Sequence, residues 1–320
     1  MNNSRNVLVS ILMPVYNVEN LLERTLDSIF TQTYSNIEYV FVNDGSTDHS
    51  LIVLQTIIEK HQIDHNRYII INHSENKGIA ITRQDCISFA KGDYVFFVDS
   101  DDWIEPDAVS SMVDASNNGE VDIIGCDYSK DFITGKVTYH RENYGKSCRE
   151  NMIKCLNYDI ATVLWKLLIR RKLFENIAIT PGLNIGEDYI ISVKLFYHAK
   201  SFSHLRRSVY HYVQYNQNRL SFQISNSIYD HIRCVKEVES FLHENGLYNS
   251  LVLHKLNLRK FNIKSNFLTK QLLDYKSYKT TFPEADGMWR FMGYSKKEKI
   301  KFWLVEHNLT ILLKLLLFFY

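Results

Sequence analysis

A chain of 320 residues, 45% of them apolar, has room for two modest domains or for one domain with a C-terminal elaboration, and for a sizeable core. The net charge of +1 is unevenly spread: residues 1–254 carry 24 Lys+Arg against 31 Asp+Glu, residues 255–301 carry 12 against 4, and residues 302–320 balance. A basic block behind an acidic body suits an anionic partner; a membrane surface fits, while no recognised nucleic-acid module is present and nucleic acid is set aside. Five scattered cysteines (Cys86, Cys126, Cys148, Cys155, Cys234) include no CxxC pair, which argues for a reducing compartment and against a zinc site.

The N-terminus passes directly into a strand with no apolar leader, so no signal peptide is expected. Strands are predicted at Leu8–Met13, Ile37–Val42, Tyr68–Asn72, Tyr94–Val98 and Val121–Gly125. Helices fall between them, near Asn20–Phe30, Ser50–His61, Ile79–Ala90 and Pro106–Asn118, the first with Leu22, Leu26, Ile29 and Phe30 as its apolar stripe. This order predicts an α/β fold with a doubly wound, mostly parallel sheet, whose ligands bind beyond the carboxyl ends of the strands. From 126 to 220 the pattern loosens: a hairpin over Phe132–Tyr139, an apolar run with basic insertions over Ile160–Phe174, a helix over Asp188–His198 and strand over Phe202–Tyr215. After Ser225 the chain reads as helix, broken around Thr280–Gly293. The apolar tail Asn308–Tyr320 spans only ~20 Å as a helix, short of a ~30 Å hydrocarbon core. It reads as an interfacial helix or one docked on protein, not as a span.

The unusual residues lie at the strand exits. Pro14 closes the first strand, Tyr16 stands at its mouth where a ring can lie against a planar base, and Asn17 can cap the next helix. Asp44-Gly45 ends the second strand, its carboxylate able to accept an imide proton. Lys77 and Arg83 follow the third and could meet a diphosphate. The fourth runs into Asp99-Ser100-Asp101-Asp102, a density of carboxylates that suits a hard divalent cation. Glu187-Asp188 opens a helix and offers a general base, and Lys166 sits in an apolar run where it needs an anion or a partner. Each motif has a plainer alternative: acids cap helices, Asp-Gly makes turns, and helix charges face water.

Taken in order, these motifs resemble the family 2 glycosyltransferases, whose nucleotide-binding domain is the GT-A fold. The resemblance is close over residues 8–115, from Val9–Asn17 through Thr31–Tyr34, Val42–Asp48 and Asp99–Asp102, and moderate over 160–220. Where the family often has two acids before the glycine, this chain has Asn43 and Asp44. The resemblance implies a glycosyltransferase domain over 1–220 (nucleotide-binding part about 8–125, acceptor-side part about 126–220) and a helical C-terminal region over 221–320. It implies Mn2+ or Mg2+ as cofactor, held by Asp101 with Asp99 or Asp102, and a nucleotide site comprising Pro14, Tyr16, Asn17, Asp44, Lys77, Arg83, Asp99, Ser100 and Lys166. Asp188, beside Glu187, is the implied base of an inverting transfer from a nucleotide-sugar donor, expected to be a UDP-sugar, to a glycan or lipid-linked acceptor in bacterial surface polysaccharide synthesis. The expected location is cytoplasmic, peripheral on the inner face of the membrane, with a homo-oligomer left open. The rivals are a catalytically silent nucleotide-binding or scaffold protein, and a sugar-nucleotide nucleotidyltransferase. The latter would carry a Gly-rich phosphate loop where this chain has Pro14-Val15-Tyr16-Asn17.

Overall fold

The computed structural model describes residues 7–183, 185–216, 224–269, 272–309 and 312–313. The chain divides into two compact units, Met1–Cys155 with Ile160–Gln223, and Leu156–Asp159 with Ile224–Tyr320.

In the first unit, β1 (Val9–Val15), β2 (Ile37–Asn43), β3 (Tyr68–Asn72) and β4 (Tyr94–Phe97) alternate with α1 (Leu22–Phe30), α2 (Ser50–Lys60) and α3 (Ile79–Phe89). All four strands are parallel, in the order β3-β2-β1-β4, so their carboxyl ends open on one edge. Strand β1 is buried at all seven positions, as a central strand apolar on both faces must be. Helix α1 buries Leu22, Thr25, Leu26 and Ile29 at helical spacing. The next helix, α4 (Ala108–Ala115), ends earlier than its apolar pattern suggests, because Asn117, Asn118 and Gly119 all take positive φ.

Two expectations change at the first strand exit. Pro14 does not close β1 but lies inside it, opposite Val42. Leu12 faces β4, and Pro14, two residues on, faces the same side beyond the last β1–β4 pair, Leu12–Phe97; its missing N–H costs no ladder bond. Asn17 caps no helix. It takes φ 48° and its Oδ1 accepts from the Thr47 amide at 2.8 Å, tying the first exit loop to the second.

Beyond β4 the sheet becomes mixed. Strand β5 (Trp103–Ile104) is a short strap, followed by β6 (Ile123–Asp131), β7 (Val137–His140), β8 (Leu167–Arg170) and β9 (Phe202–Val213), with α5 (Cys148–Cys155) and α6 (Glu187–His198) between them. The order continues β4-β8-β6-β9-β5, with β7 pairing β6 in a hairpin whose first arm, Tyr128–Asp131, precedes the expected Phe132–Tyr139. Register shifts at Cys126–Tyr128 bend β6, which pairs β8 through Gly125 and β7 from Tyr128 onward. The strap β5 pairs His211 and Tyr210 of β9, so the chain just past the acidic motif is anchored to that strand.

The second unit is helical: α7 (Ile224–Glu244), α8 (Ser250–Ser265), α9 (Tyr275–Thr280) and α10 (Lys296–Glu306). The chain turns not only at 280–293 but also at 245–249, and α8 is followed by a short 3₁₀ turn at Asn266–Leu268. Gly246 takes φ 66°, and Asn249 and Asp274 cap the helices that follow. Ser295 and Glu298 form a reciprocal cap on α10.

Part of the basic block is paired inside this unit. Lys260 reaches Glu239 and Glu284, both at 2.7 Å; fully buried Lys264 meets Asp286 at 2.5 Å and the Phe282 carbonyl at 3.2 Å; Lys255 pairs with Asp159. These three of the block's twelve basic residues balance acids within the unit. Apart from Leu309, Leu312 and Leu313, the apolar tail Leu309–Tyr320 lies outside the described residues. Among the described residues no helix is long and apolar enough to cross a membrane.

Removing Asp286 leaves the Lys264 charge buried. Asp286→Ala should cost about 2 kcal/mol, less than a fully buried pair because the carboxylate is partly exposed, whereas Lys264→Met should cost less. Urea denaturation of the two variants checks the order, and equal losses would count against it.

Candidate active site

The four parallel exits converge. Gly45 takes φ 66°, and a Cβ there would come within 2.5 Å of the Glu75 carbonyl carbon, so the second and third exit loops touch through backbone. Asp44 is buried at this junction. Its Oδ1 accepts from the Lys77 amide at 2.8 Å and from His73 Nδ1 at 2.7 Å, and its Oδ2 accepts from the Gly78 amide at 3.0 Å. A carboxylate has about four acceptor sites, so one remains, on Oδ2. Tyr16 stands exposed at the first exit and the Lys77 side chain is exposed at the third.

The acidic motif is held from behind. The Tyr210 hydroxyl donates to Asp102 Oδ2 at 2.9 Å and accepts from the Asp99 amide at 3.1 Å, while the Val213 amide donates to Asp102 Oδ1 at 2.8 Å. Asp102, 1% exposed, therefore turns inward and shapes the turn. This corrects its expected place among direct metal ligands. Burial, together with Asp101 and Asp99, pushes Asp102 well above the usual carboxylate range. Ser100 is buried too, its carbonyl accepting from Thr25 Oγ1 at 3.0 Å.

Asp99 and Asp101 keep partial exposure, Asp101 Oδ2 accepting from Asn216 Nδ2 at 2.7 Å. Burial lifts Asp99 to about 6, opposed by Arg83 and assisted by Asp101 and Glu187. Such a cluster is short of positive charge, and the two open carboxylates fit a divalent cation. Among the described residues no three acidic, His or Cys side chains form a ready-made metal cage.

Arg83 joins this motif to the expected base. From the first turns of α3 its side chain, 5% exposed, places Nη2 3.4 Å from Asp99 Oδ1 and Nη1 3.2 Å from Glu187 Oε1, and also pairs with Asp188. Gly186 precedes α6 with φ 92°, the sharp entry that brings both acids of the helix's first turn to the guanidinium. The Phe97 ring lies beneath Arg83, 5.6 Å from ring centroid to Cζ.

Lys166 is not in this group. Its Nζ lies 2.9 Å from Glu142 Oε2 and 4.8 Å from the Tyr144 ring centroid, at 1% exposure. Burial pulls Lys166 below the usual ammonium range while Glu142 holds it up. The residue satisfies its charge in the core, which corrects its expected contact with a diphosphate. Its neighbour Trp165 serves the site instead, stacking on Tyr210 at 4.4 Å between centroids.

Sequence reasoning missed Tyr210, lost in a strand rich in aromatics and far along the chain from its partner Asp102. It also missed His73, whose position just past β3, beside the Asp44 exit, was the available signal.

Residues 10–184 match the family model described as "Glycosyl transferase family 2", more than half of the chain. The chain belongs to glycosyltransferase family 2. It is 35% identical over 215 residues to the glycosyltransferase GlyA of Streptococcus pneumoniae, covering 64% of this chain and 30% of GlyA. It spans less than two thirds of the length of the first curated relatives it matches. Among solved structures, S. aureus TarS 1–349 in complex with UDP-GlcNAc superposes with a TM-score of 0.70 at 18% identity, over 95% of this chain and 91% of that one. A mannosyltransferase, PcManGT from Pyrobaculum calidifontis, in complex with GDP-Man and Mn2+, gives 0.52 at 16% identity, over 96% and 81%. These likenesses show the GT-A fold.

The new place of Lys166 is open to test. Glu142→Gln should lower stability by about 3–5 kcal/mol by leaving a buried charge poorly met, while Lys166→Met should cost less and leave the donor KM unchanged. A raised donor KM in folded Lys166→Met would return that lysine to the diphosphate.

Proposed function

We propose that this glycosyltransferase transfers a sugar from a UDP-sugar, with inversion, to a hydroxyl of a glycan or lipid-linked glycan in bacterial surface polysaccharide synthesis. The observation that carries the reading is the meeting of Asp99, Glu187 and Asp188 on one guanidinium, which sets metal motif and base within a few ångströms of each other.

Asp101 with Asp99 would hold Mn2+ or Mg2+, which when bound supplies Lewis-acid relief of charge on the departing diphosphate. Tyr16 faces the base, Asp44 accepts from its imide, and Lys77 and Arg83 meet the phosphates. Asp188 takes the acceptor's proton as the new C–O bond forms, a contribution of about 10²–10⁴-fold. While Arg83 pairs with Asp188 that carboxylate is a poor base. A diphosphate competing for the same guanidinium loosens the pair, so the base becomes effective when donor is present.

We also assign the exposed face of α10 to peripheral attachment at the cytoplasmic side of a membrane. Ile300 and Trp303 are exposed in line with Lys296, and Lys297 stands beside them. Co-sedimentation with vesicles of phosphatidylcholine and phosphatidylglycerol should fall severalfold in Trp303→Ala. Equal partition of variant and parent would remove α10 from that role.

For the transfer itself, UDP release is measured with and without Mn2+ across a panel of UDP-sugars. Asp101→Ala should abolish metal-stimulated release. Asp188→Asn should bind donor within about twofold of the parent by calorimetry yet turn over at least about 10²-fold more slowly. Unchanged kcat in Asp188→Asn would remove Asp188 from the base role.

A further inference from the structure

His73 lies one residue beyond β3 with its ring 3% exposed, between carboxylates supplied by two other segments. Nδ1 is 2.7 Å from Asp44 Oδ1, at the exit of β2, and Nε2 is 2.8 Å from Asp85 Oδ2, on α3. An ionised carboxylate only accepts hydrogen bonds, and a neutral imidazole donates from one nitrogen alone. Two short contacts to two carboxylates therefore need one more proton than a neutral ring and two ionised acids contain. The ring is where it belongs, because imidazole out-competes a carboxylate for a proton. The amides of Lys77 and Gly78, both donating to Asp44, further favour the charged form of that acid.

We propose that His73 is an imidazolium that sets base specificity in the donor pocket by keeping Asp44 ionised, with Asp85 as its fixed counterion. The inference rests on the reading that Asp44 faces the nucleotide base. A protonated carboxyl at this position could donate as well as accept. Held as an anion, it offers only acceptor sites, and the one left on Oδ2 suits the N3–H of uracil. Cytosine presents an unprotonated N3 in the same place, so two acceptors would face each other. His73 and Asp85 do not touch the base in this arrangement; they fix the protonation state of the group that does. Asp85 is half-buried, and it completes the ion triad without adding a second unpaired charge.

The experiment measures UDP and CDP binding by calorimetry in the presence of Mn2+, for the full chain and for His73→Asn, Asp85→Asn and Asp44→Asn. Nitrogen-15 spectra of histidine-labelled protein report the His73 ring. The expected result is a doubly protonated ring at neutral pH and a clear preference for UDP over CDP. That preference should shrink by about tenfold in His73→Asn, through weaker UDP binding rather than a uniform loss, with a smaller change in Asp85→Asn. Asparagine can still donate one hydrogen bond to Asp44, so the variant removes the charge more than the contact. A folded His73→Asn with the parental UDP-to-CDP ratio, alongside an Asp44→Asn that no longer binds UDP, would overturn the inference while leaving the reading of Asp44 intact. Equal loss of UDP and CDP affinity in His73→Asn, or a neutral ring in the spectra, would overturn it too. Full UDP affinity in Asp44→Asn would overturn the reading of Asp44 and the inference together.

Discussion

Moving a guanidinium out of water costs several kcal/mol unless its charge is met, and at Arg83 it is met three times, by Asp99, Glu187 and Asp188. Those carboxylates come from the exit of β4 and the first turn of α6, segments that no local interaction would bring together. The arginine is in turn fixed by α3 and the Phe97 ring. The catalytic end of the first unit thus depends on a single buried cation: without it, three acids would repel across a few ångströms. One arginine against Asp99, Asp101, Glu187 and Asp188 still leaves the cluster strongly negative. Burial first, with Asp101 and Glu187 adding to it, lifts Asp99, and a second positive charge is what the cluster calls for.

A second layer gives this cluster its shape. Tyr210 and the Val213 amide hold Asp102, Asp102 closes the turn, and the turn leaves Asp99 and Asp101 open to the mouth. Trp165 stacks behind Tyr210, and the strap β5 pins the chain beyond the motif to β9. Burial raises Tyr210 well above the usual phenol range, so its proton stays available for Asp102. The mixed half of the sheet therefore serves the parallel half: one supplies carboxylates at strand exits, the other supplies the braces that aim them.

Much of the nucleotide-binding half was legible in the sequence because its signals are local. Strands β1 to β4 and helices α1 to α3 follow from apolar periodicity and turn residues, and each motif lies at an exit that the alternation predicts. What escaped was non-local. That Asp102 faces inward depends on Tyr210, 108 positions along the chain. That Lys166 is turned into the core depends on Glu142, which no spacing links to it. A count of charges over the basic block cannot see Lys260 and Lys264 folded onto Glu239, Glu284 and Asp286. Pro14 looked like a strand end because the sequence does not say how far the neighbouring strand runs.

The most direct test of the whole account is crystallographic: crystals grown with UDP and Mn2+, with data collected at the manganese absorption edge. The account predicts one anomalous peak at ordinary coordination distance from Asp101, bridging to both phosphates, with Arg83 turned toward the diphosphate. Clear density for UDP elsewhere, with no peak beside Asp99 and Asp101, would contradict it.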